Sequence, residues 1–170
     1  MGILQQKITS GACKGYWDFR SGTIDDFSGN SNNATFGATP RFSNEGLKFN
    51  GSTGYLNIDA IVGDLSANTA GTILVMTRLD ADTTQEIISF GDTDADTRIQ
   101  FDMNSDKLRA LVGVTGTTQW ALQTDAANPP NGAFAVVTLV QDATSPVLYV
   151  DGSAPAQTFT TSTNKTYWFS

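Results

Sequence analysis

The sequence has no histidine and a single cysteine, Cys13. Without histidine the chain lacks the commonest general base, the usual zinc ligand and every nucleophile triad that depends on an imidazole. One cysteine allows no intrachain disulfide, so stability must come from burial rather than cross-links. Charge is also scarce: 16% of the 170 residues are charged, and the ten basic ones are scattered. A net charge of −7 with no basic cluster argues against nucleic acid, whose binding depends on displacing counterions with Lys and Arg. Glutamate is nearly missing, with only Glu45 and Glu86, so the acidity sits on aspartates, which favour turns and caps. No apolar run is long enough to cross a membrane or to form the core of a signal peptide, and the expectation is a chain that starts in a cytoplasm.

What remains is a succession of short apolar stretches separated by Gly, Ser, Thr, Asn and Asp, with turn signals roughly every ten residues, the spacing of a β-sandwich. No stretch holds a 3.6-residue period for more than a turn. Residues 16–19 alternate, which puts Trp17 and Phe19 on one face and predicts both in the core. A polar loop, 25–35, leads to a strand at 46–49 that turns through Gly51-Ser52-Thr53-Gly54 into 55–58 as a hairpin. The mostly apolar run 72–79 reads as a central strand covered on both faces. Strands are predicted at 86–90, 98–103, 108–114 and 117–123, and Ile99, Phe101 and Met103 alternate with a wet face of Arg98, Gln100 and Asp102. Beyond the breaker at 128–132 come a buried run at 135–140, its hairpin partner at 147–150 and an edge strand near 156–160.

Four pieces of this pattern, in order, carry a resemblance. They are Tyr16-Trp17-Asp18-Phe19, then Asp26-Phe27-Ser28-Gly29-Asn30 with Asn32 and Asn33, then Gly46-Leu47-Lys48-Phe49-Asn50-Gly51, and finally Leu148-Tyr149-Val150-Asp151-Gly152. The chain resembles, over about residues 14–160, the laminin G-like branch of the concanavalin A-like lectin/glucanase superfamily. The resemblance implies an all-β fold: two antiparallel sheets packed as a jelly-roll sandwich, one domain over 15–170, with 1–14 as an N-terminal arm or edge strand. Met76 and Phe134 stand where relatives often carry tryptophan. The strand that usually closes the family fold has no counterpart before Ser170. The edge it would cover is expected to be open, or filled by 167–169, by the arm or by another chain.

Three kinds of site follow. Asp26, Asn30 and Asn32 offer hard oxygen ligands, and in relatives a structural calcium often sits at this loop; the alternative is a set of Asx-type turns that bonds to itself. Asp92, Asp94 and Asp96 imitate the start of an EF-hand loop, but Arg98 follows and no glutamate closes it. Trp120, Tyr149 and Trp168 are candidate platforms for a sugar, with ordinary sheet packing as the competing role. Enzymes of the superfamily carry Glu-x-Asp-x-Glu along one strand; this chain has none, and the reading is non-catalytic, with Glu45 and Glu86 as surface residues. The expected function is a recognition module that adheres to a glycan or protein surface, or a structural component of an assembly such as a phage virion decoration, fibre or tail protein. Its expected partners are other chains or copies of itself, with no nucleic acid and no membrane insertion. Its expected location is a virion surface, with a secreted extracellular module as the alternative.

Overall fold

The computed structural model describes residues 12–38, 40–79, 84–91 and 97–169. The Asp92, Asp94 and Asp96 loop and most of the N-terminal arm lie outside these residues. The chain groups into two compact units, Met1–Ser66 and Ala67–Ser170.

The second unit is a sandwich. Among the described residues, its larger sheet has five antiparallel strands in the order β12-β9-β8-β7-β6, where β6 is Gln85–Gly91, β7 Arg98–Asn104, β8 Lys107–Val114, β9 Thr117–Thr124 and β12 Gln157–Ser162. Its smaller sheet runs β11-β10-β5, with β5 Gly71–Arg78, β10 Phe134–Gln141 and β11 Pro146–Val150. Tight turns set the register. Ser105 and Asp106 join β7 to β8, Thr115 and Gly116 join β8 to β9, and all four have positive φ (51°, 68°, 49° and 73°). Two such residues between paired strands match the right-handed twist of a hairpin, and Asn, Asp and Gly tolerate that backbone best.

The core lies between the two sheets and follows from period-two alternation. Phe101, Ala110 and Leu122 face each other across β7, β8 and β9, as do Ile99, Val112 and Trp120. The smaller sheet contributes Val137, Leu139 and Leu148, all fully buried. Each such side chain is worth about 1.5–3 kcal/mol on leaving water. Residues 165–169 form no strand. Their chain runs into this core, where Trp120 Nε1 donates to the Tyr167 carbonyl at 2.9 Å and Gln141 Nε2 donates to the carbonyls of Lys165 (2.8 Å) and Tyr167 (3.2 Å). Trp168 is buried behind them and meets Phe169 edge to face, with ring centroids 5.1 Å apart.

One expectation for this unit is corrected. β5 is not covered on both faces: it pairs only with β10 among the described strands, and its alternate residues Leu74 and Met76 are 59% and 56% exposed. An apolar run signals a strand, but here both faces are apolar while only one meets the core.

The first unit holds β1 (Thr35–Ala38) paired with β4 (Tyr55–Asn57), and β2 (Arg41–Ser43) paired with β3 (Gly46–Lys48). The expected hairpin of 46–49 with 55–58 is therefore corrected: each strand takes an earlier partner. Asn50 is the reason the chain leaves β3, because its Oδ1 accepts from the backbone N–H groups of Ser52, Thr53 and Gly54 at 3.0, 2.9 and 2.8 Å and closes a tight loop there. The expected strand at 16–19 is also absent. Among the described residues, 16–18 pair with no strand, Phe19–Ser21 form a 3-10 turn with the Asp18 side chain as its cap, and Trp17 and Phe19 are only half-buried.

Candidate functional site

The five-stranded sheet has a second face, opposite the core, made by the alternate residues of the same strands. Its register places Glu86 beside Asp102, Asp102 beside Arg109, Arg109 beside Gln123, and Gln123 beside Thr158, a polar row across all five strands. The neighbouring row is Ser89, Gln100, Leu111, Ala121 and Thr161, so a small apolar floor lies next to the polar one. Leu111 and Ala121 are buried although they face away from the core.

The row is held by a linked set of bonds. Arg109 donates from Nε to Asp102 Oδ1 at 2.9 Å and from Nη2 to Oδ2 at 2.5 Å. Asp102 has 0% of its side chain exposed and Arg109 has 22%, so the carboxylate is inside and of the pair only the arginine reaches water. A buried carboxylate is costly alone, and the bidentate fork is what permits it. Asp102 in turn holds the Arg109 guanidinium above its ordinary range, chiefly through these hydrogen bonds. Gln100 Nε2 donates to Glu86 Oε2 at 2.7 Å. Desolvation pushes the Glu86 carboxyl above the usual range and Asp102 adds to this, while the side chains of Gln100 and Ser89 and the charge of Arg109 pull it partly back. Chemically the row and the adjoining Gln100 offer a guanidinium, two amides, a hydroxyl and an accessible carboxylate in fixed order. That mixture of donors and acceptors suits groups that both give and take hydrogen bonds.

The residues expected to stack on a sugar lie elsewhere. Trp120 is 0% exposed and belongs to the core of the second unit, as does Trp168, so burial corrects both from platform to packing. Polar neighbours suggested an outward Trp120, but β9 alternates Trp120 and Leu122 inward against Gln119, Ala121 and Gln123. Tyr149 is half-exposed on the outer face of the smaller sheet, opposite Thr138. The three aromatics do not converge. Asp102 and Arg109, by contrast, were not singled out from the sequence. The usable signal was the polar alternation of Arg98, Gln100 and Asp102 together with a two-residue turn, which places residue 102 opposite 109; the expected wet face holds except at Asp102, which is buried against Arg109.

Asp26, Asn30 and Asn32 do come together, in the first unit. Asp26 Oδ1 accepts from the N–H groups of Tyr16 (2.9 Å) and Ser28 (2.8 Å), and Oδ2 accepts from Ser28 Oγ (2.7 Å) and the N–H of Asn32 (2.9 Å). Asn30 and Asn32 both turn their amide nitrogens to the Lys14 carbonyl, at 3.1 and 2.9 Å. Burial alone would push the Asp26 carboxyl up, but these donors outweigh it and hold the group below the usual carboxylate range. A calcium ion needs free oxygens aimed at a common point. Here the carboxylate is saturated and two of the three side chains present nitrogen to carbonyls, so the donor set does not fit calcium. Among the described residues no group of three or more acidic or cysteine side chains is placed to hold a metal.

The second unit is thus a β-sandwich whose larger sheet carries a polar, hydrogen-bonded outer face. The chain belongs to the concanavalin A-like lectin/glucanases superfamily, whose laminin G family model matches residues 50–170. Among solved structures, an S-layer domain-containing protein (residues 221–444) from Clostridium thermocellum is similar, with a TM-score of 0.53 and 21% identity over 85% of this chain and 71% of that one. No curated protein matches the sequence. The fold class read from the sequence is therefore the observed one, and a carbohydrate-binding or adhesion module is the class it defines.

Proposed function

We propose that the chain is a non-catalytic laminin G-like module that binds carbohydrate through the outer face of its five-stranded sheet, displayed on an extracellular surface such as a phage virion or a cell envelope. The observation that carries the reading is the row of Glu86, Asp102, Arg109 and Gln123. Fixed donors and acceptors in a set order are what orient a sugar, whose ring edge carries hydroxyls that both give and take hydrogen bonds. Glu86 and Asp102 stand opposite each other on neighbouring strands, two carboxylates side by side as in a glycosidase. A nucleophile must nevertheless reach the sugar, and Asp102 has no exposed surface and both oxygens bonded to Arg109. Recognition is the chemistry this reading assigns to the face. The test is a glycan array with the wild type and the Gln100→Ala and Gln123→Ala variants. Binding that falls at least tenfold in both variants supports the reading, and binding unchanged in both removes this face from it.

A second reading, a structural component that associates with other chains, is favoured by the exposed Leu74, Met76 and Phe134 on the smaller sheet. Light scattering decides it: a monomer at high concentration discards association between copies.

A further inference from the structure

Building on that reading, we infer that the row selects neutral polyhydroxylated saccharides against anionic ones, and that Glu86 is the residue that imposes the choice. The chemistry of the row carries this. An anionic sugar is recognised by uncommitted donors, above all an arginine fork offered to a carboxylate or sulfate. Arg109 is the guanidinium at the centre of this face, and the nitrogens of its fork, Nε and Nη2, are already bonded to Asp102. Its charge is matched by a carboxylate of the same site. The exposed position next to that pair on β6 is Glu86, which can only accept while it is ionised. An anion laid along the row would meet that carboxylate within the same five strands, and the like charges repel.

Among the described strand residues, the remaining charges on the face sit at its ends. Arg98 pairs with Gly91 and Gly113 at one end, and Lys107 pairs with Asn104 at the other. They leave the centre unchanged: Glu86, Gln100, Arg109 and Gln123 are a mixed set of acceptors and donors, and a sugar hydroxyl satisfies both kinds at once. The chain's net charge of −7 works in the same direction at long range. Glu86 is therefore a specificity-determining residue: its ionised oxygen receives a hydroxyl proton donor and repels a carboxylate or sulfate.

The test uses affinity electrophoresis of the full chain through gels containing dextran, a soluble β-glucan, a mannan, heparin or polygalacturonate, at low ionic strength. The expected result is retardation by at least one neutral polymer and by neither polyanion. Glu86→Gln, which keeps the size and one acceptor, should weaken the neutral interaction about tenfold, as loss of a charge-assisted hydrogen bond does. Glu86→Lys should gain retardation by heparin. Circular dichroism of both variants establishes that they remain folded. Retardation of the wild type by heparin or polygalacturonate as strong as by any neutral polymer overturns the specificity while leaving carbohydrate binding standing. Retardation by no polymer of either kind removes the carbohydrate reading, and this inference with it.

Discussion

The carbonyl of Tyr167 is shared by two donors from different sheets, and that sharing predicts a non-additive pair of substitutions. Trp120→Phe removes the N–H that reaches it at 2.9 Å and leaves the Gln141 bond at 3.2 Å in place. The cost is about 1 kcal/mol for the hydrogen bond, and a further 1 kcal/mol or so for the volume lost between indole and phenyl in a fully buried site. Gln141→Leu removes donors to Lys165 and Tyr167 but also removes Oε1, which is buried with no partner. Losing two bonds and one buried unpaired oxygen should nearly cancel, for a net change of roughly 0–1 kcal/mol. In the double variant the Tyr167 carbonyl has neither donor, and stranding a partly buried acceptor adds about 1 kcal/mol or more beyond the sum of the singles. Urea denaturation of the four proteins, followed by far-ultraviolet circular dichroism, gives the cycle. Additivity within about 0.5 kcal/mol would show that the carbonyl is solvated when either donor leaves, and the view of 165–169 as a segment pinned into the core would fail.

Asp26→Asn should destabilise the first unit by about 2–4 kcal/mol, since one ionised acceptor serves four donors, and amide hydrogen exchange across residues 12–34 would register it. The Asp26 carboxyl lies below its ordinary value in the folded state, so its contribution is complete above the usual aspartate range and is lost as pH falls through the folded value. Because this loop bonds to itself, melting in calcium and in EGTA should coincide; a calcium-dependent rise of several degrees would contradict the donor geometry. Glu86 titrates in the opposite sense. Its carboxyl is raised in the folded state, so stability falls as pH rises from the usual glutamate range through the raised value, and Glu86→Gln should flatten that part of the pH–stability curve. An unchanged curve would mean that Glu86 is as well solvated folded as unfolded. Met76→Lys should alter stability by less than about 0.5 kcal/mol, given its exposure, yet abolish any self-association seen in light scattering.

The second unit was the legible part of the chain, and the reason is local. From residue 98 to 124 the alternation, the two-residue turns and the mix of polar and apolar faces all point to one register, and the observed pairing of Phe101, Ala110 and Leu122 is the one that pattern implies. The first unit was legible only in its vocabulary. Tyr16-Trp17-Asp18-Phe19 alternates like a strand, but a strand needs a neighbour, and no periodicity within four residues supplies one. The same limit explains the pairing of β3 and β4: turn residues at 50–54 were read correctly as a turn, while the partners across them were chosen by strands upstream. The site failed to appear for a related reason. Aromatic residues attract attention because they are large, and large apolar rings are what a core takes first, so Trp120 and Trp168 went inside. Asp102 and Arg109 look ordinary in sequence, and become distinctive only when the β7–β8 turn sets them opposite each other with the carboxylate buried. What distinguishes the proposed face is a charge kept where solvation is poor, and that property belongs to the pairing of strands, which four or five consecutive residues do not encode.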